Sequence, residues 1–225
     1  MQKFIKVSVL SVFLATCSMA DDAQSVGLNL GSIGGDIEYT RMVMPEYNLA
    51  LRLGLGGFSY SGDYDDTDTH YDTDLSQFNL GATLEYHPFS SGFYIGAGVY
   101  YQNSSYEMEA TPSGGEYEFG DHTYNALRVG TVTGSLTHEN SLAPYLGVGY
   151  DASLFDLGST FFTLSVGAAY QGDPKVSLKN KNCNLGTLGC NMLETDLRKE
   201  EKSINDDING FAWWPSLQLG ITYKF

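Results

Sequence analysis

The sequence predicts an all-β protein: an antiparallel, transmembrane, up-and-down β-barrel of eight strands, with ten as the alternative count. Three observations carry this. Residues Leu217 to Phe225 alternate apolar and polar without a break, with Leu217, Leu219, Ile221, Tyr223 and Phe225 on one face and Gln218, Gly220, Thr222 and Lys224 on the other. A strand needs that pattern when lipid touches one face and a polar lumen the other. Period-two segments recur along the chain, separated by turn-rich stretches. Residues 1–20 have the form of a secretory signal peptide, with Lys3 and Lys6, an apolar run from Phe4 to Ala15, and small residues at Ser18-Met19-Ala20.

That apolar run is too short to span a bilayer, and no later stretch approaches twenty apolar residues. A membrane-embedded chain of this kind has to close into a barrel, because lipid satisfies no unpaired backbone group. The expected organisation is therefore a signal peptide over 1–20 and a barrel over 21–225, targeted to the bacterial outer membrane. Leu14-Ala15-Thr16-Cys17 loosely resembles a lipoprotein cleavage box. Thr before the cysteine is unusual there, so cleavage after Ala20 is the expectation.

Each strand follows in order. The first segment covers Ser25 to Arg41, with a phase slip between Leu30 and Ile33 near Gly34-Gly35. The second runs from Asn48 to Tyr60, with Leu49, Leu51, Leu53 and Leu55 on one face. The third is Gln77 to Tyr86, with Phe78, Leu80, Ala82, Leu84 and Tyr86 outward. A turn at His87-Pro88 leads to the fourth, from Phe93, with Ile95, Ala97, Val99 and Tyr101 outward. Val129 to Thr137, Tyr145 to Ala152, Phe161 to Gln171 and Trp213 to Phe225 complete eight. This count puts the long 61–74 connection on the periplasmic side, where turns are usually short. Splitting the first segment at Gly31–Gly35 reverses that, and a further strand at Lys175 to Asn180 then raises the count to ten. Insertions are expected at 61–74, 107–127 and 172–211. The last holds a short helix over Asn191 to Gly210, capped by Asn191 with Glu194. Trp213 and Trp214 are expected at the membrane interface.

The chain carries 26 Gly, 16 Tyr and 12 Phe, which suits short strands with aromatic girdles. The formal charge of −15 becomes about −17 without Lys3 and Lys6. Such acidity excludes nucleic acid as a partner, since phosphates are repelled, and it favours cationic solutes. Outer-membrane lipid is the expected surrounding, and no cofactor is expected. Cys183 and Cys190 in an exported chain read as a disulfide closing a small loop.

Two sets of residues are candidates for function. Asp63, Asp65, Asp66, Asp68, Asp72 and Asp74, interleaved with Tyr60, Tyr64 and Tyr71, form an acidic segment that concentrates cations. A solvated charged surface is the plainer reading of the same run. Its spacing lacks the Gly and closing Glu of an EF-hand, and no metal site is expected. The predicted lumen is polar: Asp36, Glu38, Arg52, Gln77, Asn79, Thr83, Glu85, Tyr94, Tyr100, Gln102, Thr131, Thr133, Ser135, Asp151, Thr163 and Ser165. Eight strands leave an interior that side chains just fill. Arg52 therefore needs Glu38 or Glu85 as a partner, either within a solid core or as a gate on a narrow path. His70, His87, His122 and His138 are the four histidines. Asp68 and His70 echo an Asp–His hydrolytic pair, and His138 and Ser141 flank a turn. None shares a strand with a second catalytic group, so no enzyme is expected.

Three segments, in order, carry a resemblance to a known family: Ala143-Pro144-Tyr145-Leu146-Gly147-Val148-Gly149, then Gly167 to Leu178 with its Gly-Asp-Pro-Lys-Val run, then Ile204-Asn205-Asp206-Asp207 leading to Trp214-Pro215. Over most of the mature length the chain resembles the carbapenem-associated outer-membrane protein, also called the ornithine-uptake porin. The resemblance implies a monomeric eight-stranded barrel, a sizeable extracellular region, passive uptake of small basic amino acids such as ornithine, and a link to carbapenem susceptibility. It assigns no functional residue, because the loops, including the Cys183–Cys190 loop, depart most from the family pattern. The alternative is a non-transporting surface protein whose loops bind a partner.

Overall fold

A computed structural model of the chain describes residues 24–225 apart from 67–68, 90, 113, 120–121 and 154–157. The expected signal peptide and Asp68 lie outside the described residues. In chain order the elements are β1 (Gln24–Gly31), β2 (Gly34–Met44), β3 (Leu49–Asp66), β4 (Thr69–Tyr86), β5 (Phe93–Pro112), β6 (Glu116–Phe119), β7 (His122–Asn125), α1 (Ala126–Val129), β8 (Thr131–His138), β9 (Leu142–Ser153), β10 (Thr160–Tyr170), β11 (Pro174–Lys181), α2 (Gly186–Ile208) and β12 (Trp213–Lys224).

Eight strands close a transmembrane antiparallel barrel in the order β1-β2-β3-β4-β5-β9-β10-β12, with β12 pairing back onto β1. Closure leaves no free edge among these strands, which is what lipid requires. The outer face is the expected apolar set, with Leu53, Leu80, Leu84, Ile95, Val99, Leu146, Val166, Leu219 and Ile221 all exposed. No described helix is long and apolar enough to cross a membrane.

The strand number agrees with expectation through two offsetting differences. The segment read as one strand over 25–41 is the hairpin β1–β2, paired from Gln24↔Arg41 to Gly31↔Gly34. Gly34, at φ +95°, makes the reversal possible, and the phase slip near Ile33 is its trace in the sequence. Conversely, the strand predicted over 129–137 exists as β8 but lies outside the barrel wall. β5 pairs with β9 through Phe93–Tyr101 and with β8 through Tyr106–Ala110, so the sheet forks. β8 then carries β11, and the sheet reaches ten strands. Thr131, Thr133 and Ser135, expected in the lumen, belong to this extension.

The 61–74 segment is sheet rather than an irregular loop. β3 and β4 stay in unbroken register from Leu49↔Tyr86 to Asp66↔Thr69. With β1–β2 counted as two strands, this hairpin projects from the end opposite both chain termini. That end, called the loop end below, also carries β6, β7, β8, β11 and α2.

α2 begins at Gly186, earlier than expected, and Leu185 rather than Asn191 occupies the N-cap position. The Cys183–Cys190 disulfide spans this first turn, as expected from spacing. Leu193 and Leu197, four apart on one helix face, are buried with Tyr124 and Val129 and pack against Val132 and Leu178. Further along the same row of α2, Glu201 and Asn205 cover the edge of β11. The Val176 N–H donates to Asn205 Oδ1 at 2.8 Å, Asn205 Nδ2 donates to the Val176 carbonyl at 2.8 Å, and the Leu178 N–H donates to Glu201 Oε2 at 2.9 Å. These side chains stand in for a missing strand and block edge-to-edge pairing.

Candidate functional site: a filled lumen beneath an acidic sheet

Alternation along each strand turns a polar side chain inward at every second position. Gln77, Asn79, Thr83, Gln102, Thr163, Ser165, Gln218 and Thr222 are all buried there. The centre is ionic. Arg52 Nη1 donates to Glu38 Oε2 at 2.7 Å and Nη2 to Glu85 Oε2 at 3.3 Å. Nε lies 2.7 Å from Glu85 Oε1 without alignment for a hydrogen bond, so that contact is ionic. The guanidinium also lies 4.8 Å from the centre of the Tyr94 ring. Glu38, Arg52 and Glu85, singled out from sequence, are thus brought together, each under a tenth exposed.

Two further carboxylates lie along the lumen axis. Asp36, towards the loop end, accepts from Asn29 Nδ2 at 2.7 Å and from Gln218 Nε2. Asp151, towards the terminal end, accepts from the Thr163 hydroxyl at 3.1 Å and faces Lys224 Nζ at 3.8 Å. His87 adds a ring nitrogen 3.9 Å from Glu85. Across the described lumen, four carboxylates therefore face Arg52, Lys224 and one imidazole.

An apolar layer closes the loop end. Ile33, at the tip of the β1–β2 hairpin, folds into the barrel and packs with Tyr100, Ala143, Tyr145 and Ala169 against Trp214. Asn79 Nδ2 secures it by donating to the Ile33 carbonyl at 2.9 Å. Strand composition did not reveal this plug; the phase slip at Ile33 was its only sign. The lumen tyrosines lie across glycines of neighbouring strands: a Cβ on Gly149 would fall 2.2 Å from Tyr94, and one on Gly81 2.4 Å from Tyr100. Beside Arg52 the remaining space is about 10 Å³, room for at most one water. The lumen is filled in this conformation.

The acidic candidates form part of the extended sheet. Asp63, Asp65, Asp72 and Asp74 are exposed, and by strand alternation they share the face of Leu53 and Leu80 rather than the lumen. Asp66 is the last residue of β3. Register sets like charges opposite one another: Asp63↔Asp72, Asp72↔Glu109 and Asp74↔Glu107. One relief is local. Lys181 Nζ donates to Glu109 Oε1 at 2.6 Å, which holds the Glu109 carboxyl below its ordinary pKa. Tyr64 and Tyr71 stack at 6.1 Å.

His70 sits between two of these carboxylates, Nδ1 2.5 Å from Asp65 and Nε2 3.5 Å from Asp72. The Asp65 hydrogen bond raises its pKa. Both ring nitrogens face acids, an arrangement that favours imidazolium over a free base. Among the described residues no group of three His, Cys, Asp or Glu could hold a metal ion. His122 joins a structural cluster: its Nδ1 lies 2.7 Å from Asp196 Oδ2, which also accepts from Tyr124 at 2.7 Å. That Tyr124 bond, first among several, holds Asp196 down at about 2, and burial together with the carboxylate pushes Tyr124 up to about 12. Of the two tryptophans only Trp213 faces outward, beside Tyr170; Trp214 points inward, because neighbours on a strand cannot share a face.

No protein-family model matches the chain, and no curated relative does either. Solved structures do match. The CarO2 protein of Acinetobacter baumannii is 24% identical, with a TM-score of 0.62, covering 90% of this chain and 98% of its own. CarO from the same organism is 23% identical, with a TM-score of 0.62, covering 90% of this chain and 97% of its own. At this identity the likeness is one of fold, that of the closed eight-stranded barrel described above.

Proposed function

We propose that this chain is an outer-membrane barrel of porin-like build, closed at rest, that takes up small cationic solutes such as basic amino acids. The observation carrying this reading is the excess of carboxylates in the lumen. Asp36, Glu38, Glu85 and Asp151 face fewer cationic groups, in an interior that lipid surrounds. Ionisable groups at membrane depth are costly and by default mark a solute path. The uncompensated acid in this lumen attracts an entering cation and repels an anion. The exposed Asp63, Asp65, Asp72 and Asp74 raise the local cation concentration at the loop end, and the Arg52 cluster is the gate.

The filled lumen favours a second reading, a non-transporting surface protein whose barrel anchors the β8–β11–α2 module. One experiment separates the two. Purified protein in proteoliposomes is assayed for ornithine and glutamate entry, with and without Arg52→Ala. Ornithine entry above protein-free liposomes, faster than glutamate and increased by R52A, supports the gate. Equal entry of both solutes, or entry of neither in either form, rejects it in favour of the anchor.

A further inference from the structure

The fork in the sheet leaves a second cavity in the barrel wall. β5 pairs with β9 as far as Tyr101 and with β8 only from Tyr106, so residues 102–105 have no ladder partner on that side. The space between holds about 180 Å³. That is well above the roughly 10 Å³ left beside Arg52.

The walls are held firmly. The Gln102 N–H donates to the Ser141 carbonyl at 2.7 Å, the Asn140 N–H to the Gln171 carbonyl at 3.0 Å, and the Gln171 N–H to the Ala212 carbonyl at 2.8 Å. These bonds join the β8–β9 turn and the start of the 171–173 connection to the barrel. Gln102 and Gln171 are about 5% and 3% exposed and hydrogen-bonded to each other through their side chains.

The lining is polar yet uncharged. It includes the amides of Gln102, Asn103, Asn140 and Gln171, the hydroxyl of Ser104 and the imidazole of His138. Among the described residues no acid, lysine or arginine lines it. His138 Nδ1 is buried without accessible surface, so a solute meets this ring through its other atoms. Its ring is flanked edge-on by Trp214 at 5.5 Å and Tyr106 at 6.4 Å. Burial keeps the imidazole below its ordinary pKa, so it is neutral at pH 7.

From this geometry we propose that the cavity at the β5 fork binds a small uncharged hydroxylated solute, a sugar or polyol, with the four amides and the Ser104 hydroxyl as its hydrogen-bonding groups and the His138 ring as part of its wall. Amides and a hydroxyl offer both donors and acceptors, which is what vicinal hydroxyls need. A charged amino acid would enter without a counter-charge, which opposes burial. The site is separate from the Arg52 cluster and stands whether or not the lumen conducts.

The test uses the full chain refolded in detergent micelles with ¹⁵N-labelled histidine. D-glucose, myo-inositol and ornithine are each titrated to 100 mM, and the signal missing in His138→Phe identifies His138. Glucose or inositol is expected to shift that signal saturably, with ornithine leaving it in place. Asn140→Leu, which keeps the backbone bond to Gln171 and leaves His138 as reporter, is expected to weaken binding at least tenfold. Three results overturn the proposal: no saturable shift with either neutral solute, an equal shift with ornithine, or a parallel drift of all the histidine signals.

Discussion

Arg52→Met keeps most of the side-chain length while removing the charge that neutralises Glu38 and Glu85. Arg52, Glu38 and Glu85 have side chains 9%, 5% and 2% exposed, so solvent screens none of them effectively. At an effective dielectric of about 20, each ion pair is worth on the order of 4 kcal/mol before desolvation. The substitution loses that attraction yet leaves the carboxylates buried. Breaking a buried pair in this way costs about 3–5 kcal/mol. With a urea slope of roughly 2–3 kcal/mol per molar, the unfolding midpoint should fall by about 1–2.5 M. Folding in lipid vesicles is followed by tryptophan emission and by gel migration of unheated samples. The triple variant Arg52→Met, Glu38→Gln, Glu85→Gln removes the charges together and should recover to within about 1 kcal/mol of the natural chain, because neutral polar groups bury more cheaply. A single variant as stable as the natural chain, or a triple variant no better than the single, would refute the view that charge pairing holds the lumen shut.

Other parts of the structure make their own predictions. Gly149→Ala places a Cβ 2.2 Å from the Tyr94 ring; displacing that ring should cost about 1–3 kcal/mol, read as a lower urea midpoint. Asn205→Leu exposes the Val176 backbone groups on β11, and amide exchange at Val176 should rise about tenfold for each 1.4 kcal/mol lost, with a loss of roughly 1–2 kcal/mol expected. Exchange at the terminal end of β1 and β12, far from that edge, should not change. For Asp196 the folded pKa lies below the ordinary value, so its contribution is full above pH 4 and disappears as pH falls towards about 2. Proteolytic cleavage within β7 and α2, which Asp196 ties together, should therefore stay slow at pH 5 and accelerate only in that acid window, while Asp196→Asn should make it fast at pH 7.

What the sequence determined by itself is the part of the structure written in short-range periodicity. Lipid on one side and a packed lumen on the other force a period of two, so Leu53, Leu80, Val99 and Leu219 declare the outer face. Glu38, Arg52 and Glu85 declare the inner one, and a charge so enclosed must find its opposite. The Cys183–Cys190 bridge was equally legible, since export and close spacing leave those thiols one simple outcome. Tertiary structure alone decided which strands close the barrel. β8 has the pattern of a wall strand, but β5 is twenty residues long and offers its upper half to β8 and its lower half to β9, a choice that depends on long-range register. The same register carried Asp63 and Asp72 onto an exposed sheet face, drew Ile33 into the barrel as a plug, and opened the cavity beside His138. Each of these rests on contacts between residues far apart in the chain, where local alternation carries no information.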